Sequence, residues 1–285
     1  MKIKSVILLL FFSLVLFNKN LLANTVIFDS KNIKIENNGN LIFATDGVAN
    51  IPSQNISIEG KKSTYNKNIS ELTVIGNVKF FDNLNKIYIE SEKATYDELN
   101  NTILTDGNTF IKLEDKYKIY SQDVLFDRNS MKILSKIDTT AYDNKENIYN
   151  FNQGFLFNIV EEIISSKTSK IIDSETNNYF FNNSKINLKN REIIGKEVKI
   201  NFKDSFFGNK NNDPLLKGRS TISNDEKTII QKTVFSTCNI ENKKCRGWEL
   251  QSDEFSHDKI EKIFEYRNSW LKVFDKKVFF LPYFN

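Results

Sequence analysis

Two cysteines and one histidine near the C-terminal end are the residues best able to bind a metal or form a covalent cross-link. Six residues separate Cys238 from Cys245, and His257 is the only histidine of the 285 residues. A zinc site would need a fourth ligand, and this spacing is unusual for structural zinc. In an exported chain a local disulfide is the favoured alternative. We therefore predict no metal or other cofactor and expect His257 to form a hydrogen bond at a strand end.

Catalytic motifs give little support for an enzyme. The sequence contains no Gly-x-Ser-x-Gly, no phosphate-binding loop and no His-Glu-x-x-His. The adjacent acids Glu161 and Glu162 keep open a glycosidase-type activity, which uses two carboxylates. A β-helical protein acting on polysaccharide would carry clustered carboxylates along one outer face. Here the outward positions mix Lys, Asn, Thr and Glu, so we predict a protein that is not an enzyme.

A repeat of about 30 residues organises the first half of the chain. The sequence IEGKKSTYN at 58–66 returns as IESEKATYD at 89–97 and as IYSQDVLFD at 119–127. A second element with a central glycine lies between these copies, at 72–80 and 103–111. Self-similarity at this period is typical of a stacked repeat architecture.

The repeat has the periodicity of β-strands. Apolar residues alternate within 72–80, 103–113 and 41–51, which places each set on one face of a strand. Turn-forming Asn or Asp ends the segments at 66, 97 and 127. We predict an all-β fold in which each copy contributes two short strands and two turns to a stack.

The inner face of this stack is a row of apolar side chains that contains no catalytic group. Two interpretations remain open for it: an ordinary closed core, or a trough that holds hydrocarbon chains. The candidate trough-lining residues are Ile56, Ile58, Leu72, Val74, Val78, Phe80, Ile87, Ile89, Ile103, Ile111, Leu113 and Ile119.

The first 23 residues have the pattern of a cleaved secretory signal. Lys2 and Lys4 precede an apolar run from Val6 to Phe17, and a small residue follows at Ala23. The run is too short to span a membrane comfortably, although an uncleaved anchor is the alternative. We therefore predict an exported protein.

Composition argues for an ordered β-protein and against a nucleic-acid surface. Three of the 40 basic residues lie in 1–23, which leaves 37 against 36 acidic residues. Basic and acidic residues are interspersed, and no basic cluster alternates with stacking aromatics. The chain has 24 Phe and 10 Tyr but only 10 Gly and 3 Pro, unlike a disordered stalk.

Two later regions differ from the repeat. Residues 131–175 alternate only in part, and we predict strands there even though 160–164 is also compatible with a helical turn. Residues 203–217 contain a breaker cluster and are predicted to be a loop.

The expected organisation is a signal at 1–23, a β-stack at 24–235 and a distinct segment at 236–285. That last segment holds both cysteines and both tryptophans and ends on an aromatic run, which indicates a fragment of a longer protein.

The C-terminal segment resembles one known family. The matching stretches are VFSTC at 234–238, CRGWEL at 245–250, SHD at 256–258, YRNSWLKVF at 266–274 and VFFLPYF at 278–284. They are similar to the junction of the LPS-assembly protein LptD family, in which a periplasmic OstA-like domain joins an outer-membrane β-barrel. The glycine-centred repeats resemble the OstA domain. Arg246 and Gly247 replace the family's prolines, and no barrel follows Asn285.

The resemblance implies a fold and a function. The fold would be a twisted jelly-roll or V-shaped stack with an apolar trough for the acyl chains of lipopolysaccharide, on the periplasmic face of the Gram-negative outer membrane. Burial of each methylene in the trough would gain roughly 0.8 kcal/mol relative to water. The trough would therefore allow the acyl chains to cross the aqueous periplasm without being exposed to it. One or both cysteines would bond to cysteines of the missing barrel.

The resemblance also implies protein partners. The strand edge at 26–35 would pair with an LptA-like bridge protein by strand addition, and an LptE-like lipoprotein would bind through the missing barrel. Two alternatives remain: a free-standing periplasmic bridge protein, and a β-helical adhesin or polysaccharide-active protein.

Overall fold

A computed structural model describes residues 25–174, 176–202, 214–237 and 247–285. Apart from two single-turn 3-10 helices at Asn37–Gly39 and Pro52–Gln54, the regular structure of these residues consists of β-strands. The all-β prediction is confirmed. No helix in this part of the chain has the length and apolar character needed to cross a membrane.

The first six strands are long and regular, with 10 to 12 residues each. They are longer than the short strands predicted from the repeat, because each runs through its central glycine or polar residue without ending there. In chain order they are β1 Ile27–Glu36, β2 Leu41–Ile51, β3 Ile56–Asn66, β4 Glu71–Asp82, β5 Ile87–Asp97 and β6 Thr102–Leu113.

The next six strands are shorter, because three long strand segments are each broken in the middle. They are β7 Tyr117–Gln122, β8 Leu125–Asp127, β9 Lys132–Ser135, β10 Thr139–Asp143, β11 Ile148–Asn152 and β12 Phe155–Asn158. The strand prediction for 131–175 is thus confirmed except at its turns, one of which occupies 159–162.

The last eight strands are again mostly long. They are β13 Ile163–Ile172, β14 Asn178–Asn187, β15 Glu192–Asn201, β16 Leu215–Ser223, β17 Lys227–Ser236, β18 Trp248–Asp258, β19 Ile263–Val273 and β20 Lys276–Phe284.

All described pairings are antiparallel and form one sheet. From β1 to β6 and from β13 to β20 each strand pairs with the next along the chain. Between these blocks the ladder divides into two branches, one running β6-β7-β10-β11-β13 and the other β6-β8-β9-β12-β13. The broken strands therefore let two half-sheets diverge and meet again at β13.

The strands bend near their midpoints. Gly76 and Gly107 have φ of 85°, a left-handed conformation that glycine adopts without steric cost. Asp46, Asp123 and other mid-strand residues also have positive φ. The β3–β4 pairing changes register between Glu59 and Lys62. Extra residues of this kind bend a strand and increase its twist, so the sheet folds back on itself along a line through the strand centres.

The core lies between the two halves of the folded sheet. Phe80 near the end of β4 packs against Phe126 near the end of β8, with ring centroids 6.4 Å apart. Tyr117 at the start of β7 packs against Phe157 at the end of β12, at 6.0 Å. Residues from opposite strand ends thus meet inside, and one apolar cluster extends from Ile42 to Tyr266.

Three local predictions were wrong. The short apolar stretches at 26–28 and 33–35 predict two separate strands, but Ile27–Glu36 forms the single strand β1. In β2 the residues Ile42 and Ala44 face the core instead of Leu41 and Phe43. The positive φ at Asp46 shifts the alternation by one residue, so that only Ala49 and Ile51 follow the predicted parity.

The third error concerns the predicted loop at 203–217. Residues 215–217 belong to β16, which pairs with β15 and β17, while 203–213 lie outside the described residues. The sheet continues past 235, because β18 pairs with β17 from Phe235 to Lys227, and the domain boundary there stays a prediction. The signal at 1–23 lies outside the described residues.

Candidate functional site: the apolar interior and its seam

The apolar interior contains every residue predicted to line a trough. All twelve are buried and belong to one cluster, and the most exposed of them, Leu113, is 5% exposed. Period-two alternation identified these side chains because both halves of the folded sheet face inward. In this structure they pack against each other between the two halves of the sheet.

The fold brings two rows of turns together. The turns of one row come after strands that run in one direction, and the turns of the other row come after strands that run in the opposite direction. We call the line where the rows meet the seam. The first row comprises 52–55, 83–86, 114–116, 144–147, 173–174 and 176–177, and the second comprises 67–70, 98–101, 128–131, 159–162, 188–191, 224–226 and 259–262.

A buried arginine closes the seam near the N-terminal end. The Nε of Arg128 donates to Oδ2 of Asp82 at 2.8 Å, and its Nη2 donates to the carbonyl of Gln54 at 3.0 Å. A third bond reaches Oδ1 of Asn101 at 2.7 Å. Arg128 and Asn101 belong to the second row of turns, whereas Gln54 belongs to the first and Asp82 adjoins it. The guanidinium therefore joins the two rows.

A second bridge crosses the seam further along. The hydroxyl of Tyr117 donates to Oε2 of Glu162 at 3.2 Å, and the Nζ of Lys116 lies 3.5 Å from Oε1. Burial and the adjacent Glu162 carboxylate raise the pKa of Tyr117 well above its ordinary value. The phenol thus stays protonated as a donor. Glu162, considered above as a catalytic carboxylate, is held in this bridge, while Glu161 is exposed.

Beyond these bridges the seam contains a cavity of about 390 Å³. Its size lies within the range of ligand pockets. Its apolar lining is continuous with the core, since Phe181, Ile186 and Ile200 are each less than 5% exposed yet contribute to the cavity wall. Ile171, Leu188 and Ile193 also belong to the apolar part of the wall. Here the interior reaches the surface.

The rim of this cavity carries four basic groups and three carboxylates. The bases are Lys145, Lys189, Arg191 and Lys259, and the acids are Asp143, Asp173 and Asp225.

The carboxylates are engaged by neighbouring groups. Tyr149 donates to Asp143 at 2.9 Å, Tyr179 donates to Asp173 at 2.8 Å, and Arg191 lies 3.1 Å from Asp225. The carboxylates of the rim are therefore hydrogen-bonded within the protein, and Arg191 neutralises the charge of Asp225.

Lys259 is the least solvated of the basic groups. Its ammonium donates to Oγ of Ser223 at 3.1 Å and to the carbonyl of Asn224. Burial lowers the pKa of Lys259, an effect opposed by the carboxylates of Asp225 and Asp173. A cation beside apolar side chains can receive an anionic group attached to a hydrocarbon chain, because charge pairing strengthens where water is excluded.

Other predicted features lie apart from this cavity. His257 packs against the ring of Phe264 with centroids 4.6 Å apart, and burial lowers its pKa. Among the residues that the structure describes, no group of three or more His, Cys, Asp or Glu side chains is arranged to hold a metal ion. The predicted disulfide residues Cys238 and Cys245 lie outside that part.

Sequence reasoning missed the polar seam and the basic rim. Arg128 directly follows the third copy of the repeat, whereas Lys67 and Glu98 follow the first two copies. That departure was a usable signal for a special role. Lys259 carried no such signal, because lysine is common throughout the chain.

Comparisons with known proteins assign no family to the chain. No protein-family model matches the chain, and no curated protein matches it.

Proposed function

We propose that this protein transports lipopolysaccharide across the periplasm toward the outer membrane, with the acyl chains inside the folded sheet and the sugar outside. The observation that carries the proposal is the cavity in the seam, which is lined by core residues such as Ile186 and Phe181 and also by Lys259. An amphiphile with several acyl chains and phosphate groups matches this combination of an apolar floor and a basic rim. The resemblance of residues 234–284 to the LptD junction supports the same function.

The energetic argument is the cost of exposing hydrocarbon to water. Transfer of a methylene from water to an apolar interior gains about 0.8 kcal/mol, so several acyl chains cannot cross an aqueous compartment unprotected. The twelve predicted lining residues form a continuous apolar interior between the sheet halves. In this proposal the seam opens at the cavity, and acyl chains replace contacts that the core side chains now make with each other.

The N-terminal edge of the sheet supports docking to a bridge protein. Within the described residues β1 pairs only with β2, and its Ile33 and Ile35 are 48% and 62% exposed. A strand edge with free backbone groups is a template for another strand. Strand addition there would extend the apolar interior into the partner.

Site-specific photocrosslinking in intact cells tests the transport proposal. A photoreactive amino acid replaces Phe80, Ile111 or Ile186 in the full chain, and replaces Leu104 or Leu156, which are 52% and 38% exposed, as outward controls. We expect lipopolysaccharide adducts at the three inner positions and none at the controls. Because Ile186 lines the cavity and Ile111 lies deep in the core, adducts at both positions would trace the path from seam to interior.

Two results would contradict the proposal. Equal adducts at inner and outward positions would indicate nonspecific association with lipid. A stably folded protein without adducts at any position would identify the interior as an ordinary closed core. The glycan-binding adhesin would then become the leading alternative.

A further inference from the structure

A ladder of five aromatic rings crosses the outer face of the sheet, away from the interior. Phe81 on β4 packs at a tilt of 42° against Tyr88 on β5 with centroids 4.8 Å apart, and Phe110 on β6 packs at a tilt of 41° against Tyr120 on β7 at 5.1 Å. Tyr88 also contacts Phe110 at 6.4 Å, and Tyr120 contacts Tyr142 on β10 at 5.9 Å. The rings therefore form an unbroken row over five strands that neighbour one another in the sheet.

Cross-strand register explains why the row is continuous. Phe81 is directly opposite Tyr88, and Phe110 is directly opposite Tyr120. The remaining two contacts are diagonal, and large rings can reach each other at that spacing. Cross-strand aromatic pairs stabilise a sheet even when their rings are covered. Sheet stability alone therefore does not explain why two of these rings are exposed to solvent. Tyr120 and Tyr142 are 50% and 37% exposed.

Three surface depressions border the ladder. The largest, of about 1090 Å³, is lined by Phe110 and Tyr120. Tyr120 also lines a second depression of about 520 Å³ together with Tyr142. Tyr88 borders a third, of about 510 Å³. An elongated ligand lying along the ladder would therefore have room on both sides of the rings.

The polar groups around the ladder favour a ligand with many hydroxyls. In the largest depression Asn77, Asn108 and Gln122 offer amide groups. Its charged lining comprises the acids Asp46, Glu59, Glu90, Glu92 and Asp138 and the bases Lys31, Lys61 and Lys79. An excess of carboxylates repels a polyphosphate chain or an anionic membrane surface, whereas neutral sugar hydroxyls can bond to carboxylates, amides and ammonium groups alike.

We propose that this aromatic ladder, Phe81, Tyr88, Phe110, Tyr120 and Tyr142, binds an extended oligosaccharide of pyranose units. One face of a pyranose ring presents C–H bonds, which pack on the electron-rich face of an aromatic ring, and the edge hydroxyls then reach the bordering polar groups. Stacking platforms of this kind tolerate variation in the ligand. The proposal is independent of lipid in the interior, because the ladder and the core lie on opposite faces of the same strands.

Isothermal titration of the purified full chain tests the proposal with two saccharides. One is the deacylated oligosaccharide of lipopolysaccharide, and the other is the tetramer of N-acetylglucosamine. The test variant is Tyr120→Ser combined with Tyr142→Ser. The matched control is Tyr283→Ser, because Tyr283 is 51% exposed on β20 and lies outside the ladder. Tyr120→Phe keeps the ring and checks that stacking is the cause.

We expect the wild type, Tyr120→Phe and Tyr283→Ser to bind at least one saccharide with similar affinity, and the double variant to lose about tenfold or more. Binding of the deacylated oligosaccharide alone would identify the ligand as the sugar of a transported lipid. Binding of the tetramer alone would identify a cell-wall type glycan. Circular dichroism melting confirms that each variant folds.

The proposal is overturned if the folded wild type binds neither saccharide, or if the double variant binds as tightly as the wild type. It is also overturned if Tyr283→Ser weakens binding as much as the ladder variant. These outcomes leave lipid adducts at Ile111 and Ile186 unaffected, so failure of this proposal is distinguishable from failure of lipid transport.

Discussion

Arg128 and Asp82 form a buried ion pair, with 2.8 Å between Nε and Oδ2, although 46 residues separate them in the chain. The side chains are 5% and 0% exposed. Asp82 also accepts from the backbone and side-chain amides of Asn85 at 3.0 and 2.8 Å. The pair therefore ties two rows of turns together at a point where the folded sheet would otherwise open.

Removal of the arginine should strongly destabilise the fold. Arg128→Met leaves the carboxylate of Asp82 buried without its cation, and loss of one partner of a buried pair costs about 3–5 kcal/mol. Urea unfolding at neutral pH measures this loss. The control is Lys93→Met, which breaks the exposed Lys93–Asp106 pair of 3.1 Å and should cost less than about 1 kcal/mol. Equal small losses in both variants would show that the pair does not hold the seam.

Lys259→Met should reduce lipid capture at the cavity. The substitution keeps an unbranched side chain of similar length but removes the cation beside Ser223. Loss of one charge-assisted hydrogen bond costs about 1.5 kcal/mol, so we expect about tenfold fewer lipopolysaccharide adducts at Ile186. Lys232→Met removes a cation that pairs with Asp253 far from the cavity and should leave the adducts unchanged. A similar reduction in both variants would mean that lipid capture depends on the net charge of the protein and not on the position of Lys259.

His257 should make stability depend on pH between about pH 7.5 and about pH 5.5. Burial, aided by the positive charge of Lys259, lowers the pKa of His257 in the folded chain, and Asp258 opposes the shift. On acidification the unfolded chain therefore binds a proton first, near its ordinary pKa of about 6.5. The stability associated with the neutral imidazole is complete above that value and is lost as pH falls toward the folded pKa.

The variant His257→Gln tests this dependence, because the chain has no other histidine. Its free energy of unfolding should fall less than that of the wild type between the two pH values, as measured by urea denaturation. An identical fall in both proteins would assign the dependence to other groups.

The bend at Gly107 should tolerate asparagine better than alanine. Gly107 has φ of 85°, and a Cβ at this position would meet no atom within 4 Å. Any loss therefore comes from the backbone conformation. Gly107→Ala should cost about 1–2 kcal/mol, and Gly107→Asn less, because asparagine adopts positive φ more readily. Thermal unfolding of the two variants decides this, and a lower melting temperature for the asparagine variant would contradict it.

Sequence periodicity by itself determined the strands and the inner face. Alternation of apolar residues is a local property of an extended chain, so it identified Ile58, Phe80 and Ile111 as inward residues. It failed where a single positive-φ residue shifts the parity, as at Asp46 in β2. By the same alternation Phe110 and Tyr120 lie on the face opposite Ile111 and Ile119, but alternation cannot show that the two rings touch.

Only the tertiary structure decided how the sheet closes. The contacts of Arg128 with Gln54 and Asp82 join positions 74 and 46 residues apart, and the cavity beside Lys259 combines turns from 143 to 259. These contacts depend on the position of the bends and on the pairing of all intervening strands. Local alternation determines the face of the sheet on which a side chain lies. Which distant side chain it then meets follows from the cooperative folding of the whole sheet.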